Sequence, residues 1–468
     1  MFCESYVASS DEDYNSGLRY MPLGMEKMTC LMEFNKFILG NSSMKREVRF
    51  EGLRVSRNIR GSLEIYISSN YKHYKECGGG GYLCNTQYLK SIFIDFPYGN
   101  LGDERMGKDD VLDDLQPHNN LKELTIMYYR RLTIPQWARE DGLATSLPNL
   151  VKIVIGNCDG LKELPWMGKL QHLKTLELLW LENLEYMENK TWRTNIGSSS
   201  EGAMSSSMAV EIFFPSLENL KLYYLPKLKG WWRGSLGSGM RDGVIKGGQR
   251  SPLFPRLSQV RIEDCPDLRF IPLGRVFEIL LLKNSGIMEE DEDQKVMGGT
   301  SSNDSGNSVS NDANIKQIET TNIRSEEVFR SCSSSLRFLE AKNCEKLKSV
   351  SRGSEHLTVL ESLELADLPE LRFDETQGEE EEEDDARGND VPEWIHCLSS
   401  LQSLEITYCK QLESFPKALW KLTSLKRLQL ESCTKILYER CKEPNGEYWP
   451  IIQHISNIKN LVCDSDSE

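Results

Sequence analysis

One spacing recurs along this chain and limits its possible folds more than any other feature. In SLQSLEITYCKQLESFP (400–416), apolar residues stand at Leu401, Leu404, Ile406, Leu412 and Phe415, with Cys409 among them and Pro416 at the end. The same register returns in NLVKIVIGNCDGLKELP with Cys158, in RLSQVRIEDCPDLRFIP with Cys265, in SLRFLEAKNCEKLKSV with Cys344 and in SLKRLQLESCTKIL with Cys433. Three further copies carry leucine at the cysteine position (Leu181, Leu225 and Leu368), another runs from Leu121 to Pro135, and weaker ones begin near Leu89 and Val276. First leucines lie 23 residues apart from Leu150 to Leu173, and 24 apart from Leu336 to Leu360 and from Leu401 to Leu425.

Units of about 20–29 residues written L-x-x-L-x-L-x-x-N/C-x-L are leucine-rich repeats. Here the last spacer is one residue longer. In L-x-L the leucines alternate with polar residues, as in a short strand with one buried face. Such strands stack along a solenoid, and the later leucines tuck the returning arm into the same core. The pattern therefore predicts an α/β repeat solenoid: a leucine-rich-repeat horseshoe with a parallel β-sheet on the concave face and an irregular or short-helical convex side.

The residue between the two strand leucines faces the concave side, where solenoids bind partners. In chain order these candidate contact residues are Thr125, Val154, Glu177, Lys221, Arg261, Glu340, Glu364, Glu405 and Gln429. They describe a basic middle and an acidic C-terminal strip, or, on the plainer reading, ordinary solvated strand polarity. Tyr128, Tyr129, Trp137, Tyr223, Trp231 and Trp232 are either contact aromatics or packing. Cys158, Cys265, Cys344, Cys409 and Cys433 read as structural: a small side chain that tolerates burial, placed where the chain turns inward beside unpaired backbone groups.

Longer gaps between copies divide the chain. Residues 1–50 read as an incomplete N-terminal repeat segment, and 51–288 as repeats with insertions near 190–212 and 233–251. Residues 289–325 read as a disordered insertion, 326–374 as repeats, 375–390 as an acidic low-complexity loop, 391–460 as C-terminal repeats and cap, and 461–468 as an acidic tail. The interrupting segments hold too few apolar residues to build a core.

Composition narrows the function. The balance of 56 Lys and Arg against 71 Asp and Glu gives a net charge of −15, against non-specific nucleic-acid binding, which needs clustered basic residues. Thirteen cysteines, odd in number and scattered, do not make a secreted disulfide framework. The first residues form no leader, and no apolar run reaches the ~18 residues of a membrane span. The expected compartment is the cytoplasm, with the nucleus as a second. Catalytic patterns are missing too. CGGGGYLC (77–84) lacks the Lys-Ser/Thr of a phosphate loop and reads as a flexible hairpin tip. His73, Cys77 and Cys84 lack zinc spacing, and the acidic run lacks the spaced carboxylates of a calcium loop. The expectation is a non-enzymatic chain with no catalytic, cofactor-binding or metal residues, whose partners are proteins.

Several stretches resemble the C-terminal leucine-rich region of plant intracellular immune receptors, the coiled-coil nucleotide-binding leucine-rich-repeat (NLR) class. They are NIRGSLEIYI (58–67), VLDDLQPHNNLKELTIMYYRRLTIPQWA (111–138), GNCDGLKELPWMGKLQHLKTLEL (156–178) and FPSLENLKLYYLPKLKGWW (214–232). MPLGMEKMTCLMEFNKFILG (21–40) and LYERCKEPNGEYWPIIQHISNI (437–458) are similar to the segments that open and close the same region, so the resemblance covers roughly residues 17–460. It implies recognition of a pathogen effector or a guarded host protein, and restraint of a nucleotide-binding switch in the defence response. ADP or ATP would be held by an upstream domain, not by any residue here. What the resemblance implies is a truncated gene product, a partial gene model or a receptor remnant, expected to be poorly soluble alone because its end core would be uncapped. The alternative is an independent leucine-rich-repeat adaptor, such as a ubiquitin-ligase substrate receptor.

Overall fold

The computed structural model describes residues 30–40, 57–68, 81–97, 111–188 (except 133, 140 and 141), 214–232, 254–268, 278–285, 332–344, 356–373, 397–415 and 422–461, with isolated positions at 21, 27, 28, 53, 71, 329 and 347. The insertions expected near 190–212 and 233–251, the segments 289–325 and 375–390, and most of 1–50 and 461–468 lie outside the described residues. The chain forms two compact units, Met1–Leu268 with Pro272–Lys283, and Arg269–Ile271 with Asn284–Glu468.

The first unit carries β1 (Lys36–Leu39), β2 (Gly61–Ile67), β3 (Leu89–Asp95), β4 (Glu123–Met127), β5 (Lys152–Gly156), β6 (Thr175–Leu179), β7 (Tyr186–Glu188), β8 (Asn219–Tyr223), β9 (Gly230–Trp232), β10 (Gln259–Cys265) and, at its boundary, β11 (Ile279–Ser285). All but β7 and β9 lie side by side in chain order, with parallel pairing from β1 to β10. β7 and β9 pair in parallel on the returning arm. The second unit is a parallel run of β12 (Phe338–Lys342), β13 (Ser362–Ala366), β14 (Ser403–Thr407), β15 (Arg427–Glu431) and β16 (Asn457–Leu461).

Alternation makes these strands. Leu124, Ile153, Leu176, Leu220 and Val260 stand in one continuous register and are all buried. Leu339, Leu363, Leu404 and Leu428 do the same in the second unit. Burying each such side chain contributes about 1.5–3 kcal/mol, and a one-residue slip would turn the whole row to solvent. That is why the register holds without turn sequences to set it.

From β4 onward most rungs then bend inward on a left-handed residue: Tyr128 (φ 59°), Asn157 (53°), Trp180 (51°), Tyr224 (54°) and Asp264 (55°) in the first unit, and Asn343 (50°), Asp367 (55°), Tyr408 (56°) and Ser432 (55°) in the second. The conformation costs a non-glycine residue about 1–2 kcal/mol. It keeps the ladder going past the strand. Tyr128 N donates to Gly156 O at 2.9 Å, Trp180 N to Tyr223 O at 2.8 Å and Tyr408 N to Glu431 O at 2.8 Å.

Aromatic rings fill the returning arms. Phe254 stacks on Phe214 at 5.3 Å and meets Trp231 edge-on at 5.3 Å. In the second unit Phe415 lies 6.3 Å from Phe373 and 6.0 Å from Tyr448. The helix Lys435–Cys441 starts where Thr434 Oγ1 accepts from Leu437 N at 3.2 Å, a side-chain cap on an otherwise unpaired amide. The same hydroxyl donates to Leu412 O at 2.6 Å, fastening the helix to the preceding repeat.

The glycine-rich stretch is described only from Gly81 onward, and that end is not a hairpin tip. Leu83 forms a parallel bridge with Pro117, and Gly81 N and Tyr82 N both donate to Asp114 O at 2.9 Å. The later repeat supplies the pairing, and buried Leu83 anchors it.

Candidate functional site

The face of each sheet that points away from the core is built from the residues between the buried leucines. In the first unit the central row reads Lys36, Glu64, Phe93, Thr125, Val154, Glu177, Lys221 and Arg261, each in register with the next. The row beyond it reads Ile38, Tyr66, Asp95, Met127, Gly156, Leu179, Tyr223 and Glu263. The sequence-derived residues Thr125, Glu177, Lys221 and Arg261 fall where the repeat places them. Val154 does not serve as expected. It is 0% exposed, and its neighbours on the same face include the buried Met127 and Leu179 and the Lys152–Glu177 ion pair (3.0 Å). The Met127 side chain uses the space left by Gly156, where a Cβ would stand 2.7 Å from its sulfur. The basic stretch is partly neutralised as well, since Arg261 pairs with Glu263 on its own strand.

In the second unit the central row is Glu340, Glu364, Glu405, Gln429 and Lys459. The three carboxylates sit on adjacent rungs and none is bare. Lys342 Nζ lies 2.6 Å from Glu340 and 3.9 Å from Glu364, Arg427 lies 3.6 Å from Glu405, and Gln429 Nε2 donates to Glu405 at 3.3 Å. Burial, then the flanking Glu340 and Glu405, hold the Glu364 carboxyl above its ordinary range, against Lys342 and Arg427. Burial lowers the Lys342 ammonium, but Glu340 and the neighbouring carboxylates outweigh it and hold it above its usual value. The strip is thus a set of carboxylates with two cations beside them, able to exchange those partners for a basic surface.

The repeat cysteines lie behind the sheet. Each thiol donates to the carbonyl two residues back: Cys158 to Gly156 (3.1 Å), Cys265 to Glu263 (3.3 Å), Cys344 to Lys342 (3.4 Å), Cys409 to Thr407 (3.5 Å) and Cys433 to Glu431 (3.6 Å). All five are free thiols. Burial pushes Cys158, Cys265 and Cys409 up to about 12 and raises Cys433, so the nucleophilic thiolate is suppressed at neutral pH. Among the aromatics named from sequence, Tyr129, Trp137 and Trp231 are buried in the core. Trp137 Nε1 donates to Leu112 O at 2.8 Å. Tyr128 and Tyr223 stay partly open, with Tyr223 against Trp180 at 4.8 Å; the side chain of Trp232 lies outside the described residues.

Two features escaped sequence reading. The polar residue just before a repeat's first leucine ties that repeat to the one before it. Asn149 Nδ2 donates to Asn119 O at 3.0 Å, Ser216 Oγ to Gln171 O at 2.7 Å, Ser400 Oγ to Thr358 O at 2.7 Å and Ser424 Oγ to Leu401 O at 2.8 Å. The signal was present, as Asn or Ser stands at this step in copy after copy. The second is Asp95, which no copy of the pattern marks. Among the described residues no group of three or more His, Cys, Asp or Glu could hold a metal ion, and no helix is long and apolar enough to cross a membrane.

Comparison with known proteins finds similarity to the repeats. A family model described as R13L1/DRL21 LRRs matches residues 50–181 and 384–433. Disease resistance protein RGA2 of Solanum bulbocastanum is 27% identical over 244 residues, 52% of this chain and 22% of that protein. A probable disease resistance protein of Arabidopsis thaliana is 34% identical over 129 residues, 27% of this chain and 14% of that protein. The chain thus spans about a fifth or less of the length of these relatives. Among solved structures, an LRR protein of Leptospira interrogans aligns over 98% of both chains with 14% identity and a TM-score of 0.34.

Proposed function

With a leucine-rich-repeat chain related to plant disease resistance proteins as the premise, we propose that it is the non-enzymatic protein-interaction module of a plant intracellular immune receptor. In that role it recognises a pathogen effector or a guarded host protein and restrains a nucleotide-binding switch. The observation that carries this reading is the similarity of its repeats to those of resistance proteins. The sheet faces support it, since each offers side chains whose identity is free to vary while the core row stays fixed. Nucleotide would be bound by a separate domain, and the expected setting is the cytoplasm.

Expression in plant leaf cells with a proximity-labelling tag tests it. The chain should label a protein containing a resistance-type nucleotide-binding domain. The double reversal Glu364→Lys with Glu405→Lys should lose most of that label while the protein accumulates normally. Label that is indifferent to the reversal would remove the acidic strip from the contact; the lack of any labelled nucleotide-binding protein would remove the role itself.

A further inference from the structure

The open face of the first unit holds a buried polar atom without a protein partner. Asp95 ends β3, two residues past Phe93 and in register between Tyr66 on β2 and Met127 on β4. Its Oδ1 is buried, and among the described residues no donor lies within hydrogen-bonding reach. Burial alone pushes this carboxyl up to about 7. Leaving a carboxylate oxygen desolvated and unbonded is unfavourable, and Ile92 and Ile94 already fill the core side of the same strand. Asp95 contributes nothing to that core. The residue as a whole is only half-buried, so its carboxyl group remains within reach of the face where a partner would lie.

Its surroundings define the donor it suits. The rings of Tyr66 and Phe93 stand 6.0 Å apart at 52° beside it. Lys36 Nζ rests 4.5 Å over the Tyr66 ring, so that ring already attracts a cation. The Tyr66 hydroxyl is engaged, donating to Glu64 Oε2 at 3.0 Å. The charged groups on this face from the neighbouring strands are Lys36 on β1, Glu64 on β2 and Glu123 on β4, an acidic balance once Asp95 ionises. A carboxylate beside two aromatic rings suits an ammonium or guanidinium, through a charge-assisted hydrogen bond and cation–π attraction. A neutral side chain gains little from the charge, and an acidic one meets Glu64.

We propose that Asp95, with Tyr66 and Phe93, is a subsite for a basic side chain, arginine or lysine, of a protein that docks on the open face of the first unit. This rests on the protein-interaction reading above, yet its test needs no identified partner. The cation favours the ionised carboxyl, so docking releases a proton below about pH 7, and affinity rises as pH climbs from 6 to 8.

The full chain is titrated, by fluorescence anisotropy, with two labelled peptides identical except for a central arginine or its neutral isostere citrulline. At pH 8 the arginine peptide should bind at least five-fold more tightly, and the advantage should shrink several-fold at pH 6. Asp95→Asn should erase both the preference and its pH dependence without changing the circular dichroism spectrum. Tyr66→Leu should weaken the arginine peptide and leave the citrulline peptide unaffected. Equal binding of the two peptides, or a preference that survives Asp95→Asn, overturns the proposal. The double reversal at Glu364 and Glu405 should leave the arginine preference intact, so the outcome here is separable from that of the cell-labelling experiment.

Discussion

The two units repeat the same core pattern and present two different faces. Behind the sheet, Leu176 and Leu404 occupy the same step and are equally buried. In front, the first unit sets Phe93, Val154, Met127 and Leu179 in the middle of its face, whereas the second sets three glutamates on successive rungs with Lys342 and Arg427 beside them. Because Val154, Met127 and Leu179 are themselves buried, the first face meets a partner through Phe93 and the polar residues around that closed centre. A charged strip favours one that arrives by electrostatic attraction and is sensitive to salt. The repeat dictates the first set of residues and is silent about the second, so diversification can proceed on the face without disturbing the fold.

The largest effect should come from breaking what the units share. Phe254→Ala removes a fully buried ring packed against Phe214 and Trp231, and should cost about 3–5 kcal/mol. Phe415→Ala is the matching change in the second unit. Its ring contacts are longer, at 6.3 and 6.0 Å, so its cost should fall at or below the low end of that range. Chemical denaturation of each variant measures the difference, and a larger loss at Phe415 would show that ring spacing does not rank the two clusters.

That core was legible from sequence and the faces were only partly so. Leu401, Leu404, Ile406, Cys409, Leu412 and Phe415 were read inward from spacing alone, and all are buried. Spacing suffices because burial of a periodic row is a property of the backbone, whichever large apolar side chain is used. Val154 went wrong because facing away from the core is not the same as being exposed. Its neighbours on that face are Met127 on β4 and Glu177 on β6, up to 27 residues away in the chain, with Lys152 on its own strand. Asp95 was invisible for the opposite reason. A carboxylate on the polar side of a strand reads as solvated, and only the three-dimensional neighbourhood reveals that one oxygen is not.

The next effect distinguishes the two faces through their carboxylates. An unfolded Asp titrates near 3.9, while Asp95 in the fold is held up to about 7. The folded chain therefore binds the extra proton between these values, and stability falls as pH rises through that window. Asp95→Asn should stabilise the first unit by about 2–4 kcal/mol at pH 8, with the gain fading to nothing near pH 4. Glu364 is also raised, but it is more open and has Lys342 and Arg427 nearby. Glu364→Gln should then give a gain of the same sign and clearly smaller. Thermal melts of both variants across pH 4–8 decide it, and a pH-independent Asp95→Asn would mean the carboxyl titrates normally.

The smallest effects test the aromatic residues that stand left-handed at the inward bend, three in the first unit and one in the second among the described residues. Tyr408 is 47% exposed and Tyr224 is 40% exposed, at φ of 56° and 54°. Asparagine, which the chain itself uses at Asn157 and Asn343, accepts this conformation with less strain. Tyr408→Asn should therefore stabilise the protein by up to about 1 kcal/mol. Trp180 differs, because its ring meets Tyr223 edge-on at 4.8 Å, a contact worth about 0.5–1.5 kcal/mol. Trp180→Asn relieves the same strain and loses that contact, so its net effect should lie near zero. If both substitutions destabilise by a kilocalorie or more, the aromatics are packed parts of the fold. If Tyr408→Asn stabilises as expected, the strain it relieves is maintained for something other than folding, and the rim of the open face is the first place to look for what that is.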